Sequence, residues 1–457
     1  MLAWLRMVGW VIFAGLFFFS MRRPRLLRLG MGLWRRRWPI YKNPITTFGA
    51  TYLVTRADDT QEVLRRARDF LLGPVNERKI LTGDFVIALD PERRYIDEKT
   101  TIARALPQAR LRLLEDIVDA EAGRRLPNPI VQPVDVSGFA EHTTVAIVRD
   151  FWGLDPWRAT SEVVDAPPGA ETMRLWVRKL AIVLGSIEPA PFGIGEVGLL
   201  CSDEFLSYVR AECEVHPRNA PDMIAHILRE SRGNMDETVR SIAGLVMVGA
   251  AVVTKGFSHA FDQLLRFDDA LDAALAAARR EAQQRAAGNI VAARQERMLV
   301  GRILVEALRF NPVFPVLPRY CVRSTTLARG TPRETEIPAG SNVVVSPLGA
   351  MFDPEVVTDP ERFGFARNIQ LNSRTSTMNW EYGTRSDGTP GDYVLFGGGE
   401  HWCLGDQMAI CEMASMAVAL LNRLCAPLPG GQSRRPYRAE DLRYDGSAAA
   451  SLLVGAR

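Results

Sequence analysis

The stretch Phe396–Gly405, FGGGEHWCLG, packs four glycines, a phenylalanine, a histidine and a cysteine into ten positions, in a chain of 457 residues with only six cysteines. A structural cysteine favours an apolar, well-packed neighbourhood, and glycine has no side chain to pack. Gly397, Gly398 and Gly399 instead imply a backbone that folds tightly or comes close to something flat. The residues that follow, DQMAICEMASMAVALLNRL, carry helical spacing. Cys403 therefore stands just before a helix N-terminus, where the dipole and free N–H groups favour thiolate over thiol.

Working outward, a hydrophobic content of 47% and a charged content of 24% describe a folded globular protein. The net charge of +3 is unevenly spread: residues 1–42 hold nine basic residues and no acid, so the remainder is net acidic. That balance excludes a nucleic-acid binder. Cys201, Cys213, Cys321, Cys403, Cys411 and Cys425 form no C-x-x-C pair, and the five histidines form no H-E-x-x-H. The spacing argues against a disulfide framework and against protein-ligated zinc, and for a reducing compartment.

Leu2 to Met21 is a twenty-residue run with Arg6 as its single charge. As a helix it measures about 30 Å, one bilayer core. Arginines stand where a signal peptide would carry small cleavage-site residues, so 1–21 is expected to be a membrane anchor. The basic residues after it place the downstream chain on the cytoplasmic side. Residues 22–44 read as an Arg-rich linker, with Trp34 and Trp38 suited to an interface, and 45–457 as one large domain. Membrane contact is expected through residues 1–42.

Beyond Ile45, ATYLVTR reads as a strand, TQEVLRRARDFLL as an amphipathic helix and SNVVVSPLG as a further strand. Long helical stretches fill residues 100–310, including one run over 271–310. The fold class is mainly α with a small β component. Glu237 to Leu265 is helical, and its segment Ile242–Val253 is apolar all round yet too short to span a bilayer. It is expected to be buried through the middle of the domain. Asn368 to Asp392 is long and polar, an expected surface insertion before the glycine loop.

A thiolate beside a glycine-smoothed loop suits a flat iron macrocycle, which also protects the sulfur from oxidation. The sequence resembles the cytochrome P-450 family, whose signature F-x-x-G-x-x-x-C-x-G is matched by Phe396, Gly399, Cys403 and Gly405. The resemblance covers about residues 45–457. It implies haem b as cofactor, Cys403 as axial iron ligand and His401 as the basic partner of a haem propionate. It also implies a buried structural triad of Glu306, Arg309 and Arg362, drawn from EALRFNP and PERF. Glu62–Arg65, Glu121–Arg124, Glu237–Arg240 and Glu440–Arg443 match E-x-x-R too, but lack that context and read as solvated pairs. Arg319 in VLPRYC matches the family's propionate-binding arginine. DPERRYIDEK offers Arg93 or Arg94 as a weaker counterpart of its W-x-x-x-R segment.

One departure stands out. Family members that activate dioxygen carry [AG]-G-x-[DE]-T on the central helix, an acid and an alcohol that help deliver protons. Here AAVVT keeps the alcohol as Thr254 but puts Val253 at the acid position, and setting Gly249 on the motif glycine puts Val252 at the alcohol. An ordinary helical threonine is the competing reading of Thr254. The implied activity is insertion of one oxygen atom from dioxygen into a small hydrophobic, lipid-like substrate. Electrons would come from a separate ferredoxin, flavodoxin or reductase. Two alternatives remain: a fatty-acid hydroperoxide isomerase or peroxide-driven peroxygenase, and a non-catalytic haem binder.

Overall fold

The computed structural model describes residues 24–43, 50–72, 85–106, 111–130, 134–185, 194–231, 234–364, 394–425, 442–444 and 452–454. The expected anchor at 1–21 and the expected insertion at Asn368–Asp392 lie outside these residues.

The described chain is mostly helical. Its order opens with α1 (Pro24–Arg37), β1 (Ile40–Asn43), β2 (Thr51–Val54), α2 (Ala57–Arg65) and β3 (Phe70–Leu71). Next come α3 (Arg93–Ala105), α4 (Leu111–Arg125), β4 (Val134–Asp135), α5 (Val136–Ile147), α6 (Ala170–Gly185), α7 (Ile194–Val215) and α8 (Met223–Glu230). The long α9 (Met235–Leu264) leads to α10 (Asp268–Ala286) and α11 (Ile290–Phe310). After these run β5 (Leu317–Cys321), β6 (Thr325–Leu327), β7 (Thr335–Ile337), β8 (Asn342–Val345) and the short α12 (Pro347–Ala350). The last elements are α13 (Asp406–Leu424), β9 (Leu442–Tyr444) and β10 (Leu452–Val454).

These form two compact units interleaved along the chain, one from residues 1–76 and 309–403, the other from 77–308 and 404–457. The first holds the mixed sheet β1-β2-β8-β5-β3 and the β6–β7 hairpin. Its one parallel pair joins β2 to β8, Thr51 opposite Asn342 and Val54 opposite Val345. The alternation that predicts the β2 strand is visible in its burial, with Tyr52 and Val54 inside.

The second unit is helical apart from the small sheet β4-β10-β9. In it, α9 buries Ile242, Ala243, Val246, Met247, Ala250, Ala251 and Val253, as its all-round apolar stretch requires. A buried ionic network ties four helices together. Arg297 of α11, 2% exposed, donates to Glu281 of α10 at 2.8 Å, to Ser415 of α13 at 3.1 Å and to Asp119 of α4 at 3.5 Å. Each member gives another the partner that a buried charge needs.

Three sequence expectations are corrected. Within the expected linker at 22–44, residues 24–43 are folded: α1 and β1 belong to the first unit. Leu27, Met31 and Arg35, at i, i+4 and i+8, bury one helix face, and Arg28 and Arg35 donate to the carbonyls of Phe310 and Gly349. The helix expected to run through Leu72 ends at Arg65. Asp69 pairs with Arg66 and Arg323, and Phe70–Leu71 cross to the sheet opposite Cys321 and Tyr320. The helical run 271–310 breaks at Gly288, whose φ of +77° only glycine adopts readily.

Of the expected triad, Glu306 and Arg309, one turn apart on α11, are both fully buried. Arg362 is exposed, and its backbone carbonyl meets Arg309. Arg309 donates to the carbonyls of Pro360 at 2.6 Å, Arg362 at 3.1 Å and Met351 at 3.4 Å. A guanidinium has five donors in a fixed fork, which suits carbonyls presented together by a turn. Arg309→Ala strips donors from three carbonyls at once and should cost at least about 3 kcal/mol. Chemical denaturation checks the loss, and an unchanged midpoint would overturn the role given to these three bonds.

Candidate active site

In the first unit, the glycine loop is built on the end of α2. Gly399 has a φ of +61°, and a Cβ there would come within 2.4 Å of the Leu64 carbonyl oxygen. Gly397 has a φ of +82°, and a Cβ on Gly398 would press against the Leu64 side chain at 3.3 Å. The glycines are thus required by tight folding and by close approach to α2. The loop closes on itself: Cys403 N–H donates to the Phe396 carbonyl at 3.0 Å, and Trp402 N–H to that of Gly399 at 3.1 Å. Phe396 leans on the buried Trp402, ring centroids 6.2 Å apart. His401 ends a 3-10 turn that begins at Gly399. Arg319, 4% exposed on β5, donates to the Pro318 carbonyl at 2.8 Å.

The cysteines separate by environment. Cys201, Cys213, Cys321 and Cys411 are buried, Cys425 is intermediate, and Cys403 is exposed. Burial beside Glu115 and Glu412 pushes the Cys411 thiol up to about 12, so it stays protonated. Cys403, in contrast, presents its sulfur from an otherwise tightly held loop. That is the donor a haem iron takes, and the loop fits the cofactor.

In the second unit, Leu245 of α9 joins an apolar cluster with Val86, Tyr95 and Ile102, and Leu404, the residue after Cys403, packs against the same cluster. Thr254, nine residues on from Leu245, lies half a turn round the helix. Its hydroxyl meets that of Thr144 on α5 at 3.2 Å, and its carbonyl accepts from Ser258 at 2.9 Å. The expected proton-delivering alcohol therefore meets a second hydroxyl across the α5–α9 interface. Ile242–Val253 contains no acid or alcohol, so no register of the family motif supplies one on the Leu245 side.

Arg94 is likewise engaged elsewhere. It pairs with Glu98 at 2.7 Å and Glu237 at 3.5 Å on a part-exposed face of α3, and Arg93 is exposed. The buried face of that helix holds Tyr95, Lys99 and Ile102. Lys99 is 2% exposed, donates to the Tyr95 hydroxyl at 2.8 Å and lies 5.1 Å from its ring centroid. Sequence reading missed this lysine. Its signal was available: Lys99 occupies the apolar i, i+4, i+7 register of Tyr95 and Ile102, where a cation demands a reason.

The sequence model of the cytochrome P-450 family matches residues 207–441. This chain belongs to that family, and with it comes a haem iron cofactor. The cyclomarin C epoxidase CymV of Salinispora arenicola is 26% identical over 225 residues, 48% of this chain and 46% of that protein. A cyclooctat-9-en-7-ol 5-monooxygenase of Streptomyces melanosporofaciens is 29% identical over 129 residues, 28% of this chain and 24% of the relative. The matches span less than half the length of these curated relatives. Ligand-free cytochrome P-450 TbtJ1 superposes with a TM-score of 0.67 at 20% identity, over 94% of this chain and 96% of that one, a likeness of fold.

Two expectations follow from the site. Thr254→Val should remove the Thr144 hydrogen bond, lower stability by about 1 kcal/mol and leave product formed per reducing equivalent unchanged. A fall in that ratio would return Thr254 to a proton path. Glu412 on α13 is fully buried, and its carboxyl is pushed up to about 8 by desolvation. The unfolded chain ionises near the ordinary carboxylate value, so the folded state loses stability as pH climbs from there towards 8. Glu412→Gln should therefore raise the melting temperature more at pH 8 than at pH 5. An equal rise at both would show that Glu412 is not protonated in the fold.

Proposed function

We propose that this protein is a haem-thiolate monooxygenase that inserts one oxygen atom from dioxygen into a small hydrophobic, lipid-like substrate. The observation that carries the reading is Cys403, an exposed sulfur on a loop fixed by glycines and closed by its own backbone hydrogen bonds. The haem iron, when bound, supplies oxygen activation that no side chain here provides. Cys403 would ligate it, and the approaching N-terminus of α13 favours the thiolate. Phe396 against Trp402 would screen the loop from water. Arg319 and His401 would meet the propionate carboxylates of haem b. Electrons would arrive from a separate ferredoxin, flavodoxin or reductase. The apolar run 2–21 and the arginines after it would hold the enzyme at the cytoplasmic face of a membrane.

A second reading keeps the cofactor and changes the oxidant. With Thr254 engaged by Thr144 and no acid or alcohol in Ile242–Val253, proton delivery to dioxygen has no side chain to organise it on the Leu245 side. A substrate that brings its own peroxide bond has less need of one. Fatty-acid hydroperoxide isomerisation and peroxide-driven oxygenation both meet that condition.

Cys403→Ser should abolish the thiolate-type spectrum of the reduced carbon-monoxide complex, and Cys411→Ser should leave it intact. Retention in the Cys403 variant would sink the ligand assignment. Arg319→Met should speed haem loss to an acceptor globin several-fold, and Arg94→Met should not. Product analysis with lipids plus a reductase, against lipid hydroperoxides without reductant, separates the two oxidants.

A further inference from the structure

Helix α1 has two apolar faces, and the fold uses one. Leu27, Met31 and Arg35 point inward at 6%, 1% and 8% exposure. At 100° per residue, Leu26, Leu29 and Leu33 fall within an arc of about 60° on the other side. They are 45%, 64% and 69% exposed, and Trp38, just beyond the helix, is 50% exposed. Arg25 and Arg36 border this stripe along one edge and Arg37 along the other, all exposed. A Cβ added at Gly30 or Gly32 would meet nothing within 4 Å. Single exposed leucines are ordinary, whereas an apolar stripe rimmed by cations is the pattern of a helix lying in a bilayer interface.

We propose that the Leu26–Leu29–Leu33 face of α1 is a membrane-contact surface, seated at the boundary of headgroups and acyl chains in an anionic bilayer. The proposal builds on the membrane attachment suggested for residues 2–21 and adds a second, in-plane contact made by the folded unit itself. Three features select lipid as the occupant. The apolar run ends at Met21, so only Arg22 and Arg23 separate it from Pro24. Two extended residues reach about 7 Å, which keeps α1 beside any bilayer that run enters. The rim carries only positive charge, and residues 1–42 hold no acid to offset it. A second copy would bring like charges together, whereas anionic headgroups complement them. With Arg35 and Leu27 fixed inside the first unit, contact through Leu29 would also set how that unit tilts on the surface.

The test uses the full chain in phosphatidylcholine–phosphatidylglycerol vesicles, with a photoreactive benzoylphenylalanine replacing the exposed Leu29. Irradiation should yield a lipid adduct on the α1 peptide. The adduct should fall several-fold in Leu26→Ser/Leu33→Ser, in Arg36→Gln/Arg37→Gln, and in vesicles of phosphatidylcholine alone. All four positions are exposed, so the melting temperature should not move; should the leucine pair unfold, the arginine pair carries the test. A chain that floats with the vesicles but forms no adduct would overturn this surface and leave the anchor standing. Cross-links between two copies would overturn it in favour of a dimer. A chain that does not float at all would remove both.

Discussion

Arg309 donates its guanidinium to three backbone carbonyls, and the order of the segment leading to the cysteine loop rests on that arrangement. A charge taken wholly out of water must be surrounded by acceptors. Met351, Pro360 and Arg362 supply them only if the chain between them turns in one way. Aromatic rings reinforce the same point. Arg309 lies 4.4 Å from the ring centroids of both Phe310 and Phe352, and Phe363 stacks on Phe310 at 5.6 Å. Arg28 of α1 approaches the same two rings at 5.0 Å and 5.3 Å. Two cations thus hold one aromatic cluster, and a helix that reads as an N-terminal arm becomes part of the fold's anchorage.

How much of this was legible in the sequence depends on whether a residue's role is set locally. The tight glycine loop before α13 was legible because glycine spacing and a helix start lie within a few residues. The buried course of α9 was legible because an all-round apolar run leaves no alternative. The PERF motif marks a turn, and the Pro360 and Arg362 carbonyls of that turn accept from Arg309. Arg94 was harder to place. Two nearby carboxylates, one of them Glu237 far along the chain, draw it to a part-exposed face, and the cation on the buried face is Lys99. The linker reading of residues 22–44 failed because arginine density suggested solvent. Arg28 and Arg35 bury their stems and cap carbonyls instead.

The central helix carries the sharpest tension between family and chain. Its apolar run fills space well, with Gly244 lying against Phe85 so closely that a Cβ would sit 2.2 Å from the ring. The first hydroxyl after the run, that of Thr254, meets Thr144.

The interleaving of the two units has a consequence for biosynthesis. Strand β2 leaves the ribosome with Thr51, yet its parallel partner in β8 begins at Asn342. At 5–20 residues per second the wait is roughly 15–60 s. Through that interval α1 and the β1–β2 hairpin are made but lack Phe310, Gly349 and the strands that will cover them. The nascent N-terminal segment is then basic, apolar and open on both helix faces. A nearby lipid surface would shelter it, and a chaperone would be the alternative, so the translation site bears on how much of the chain reaches the native state.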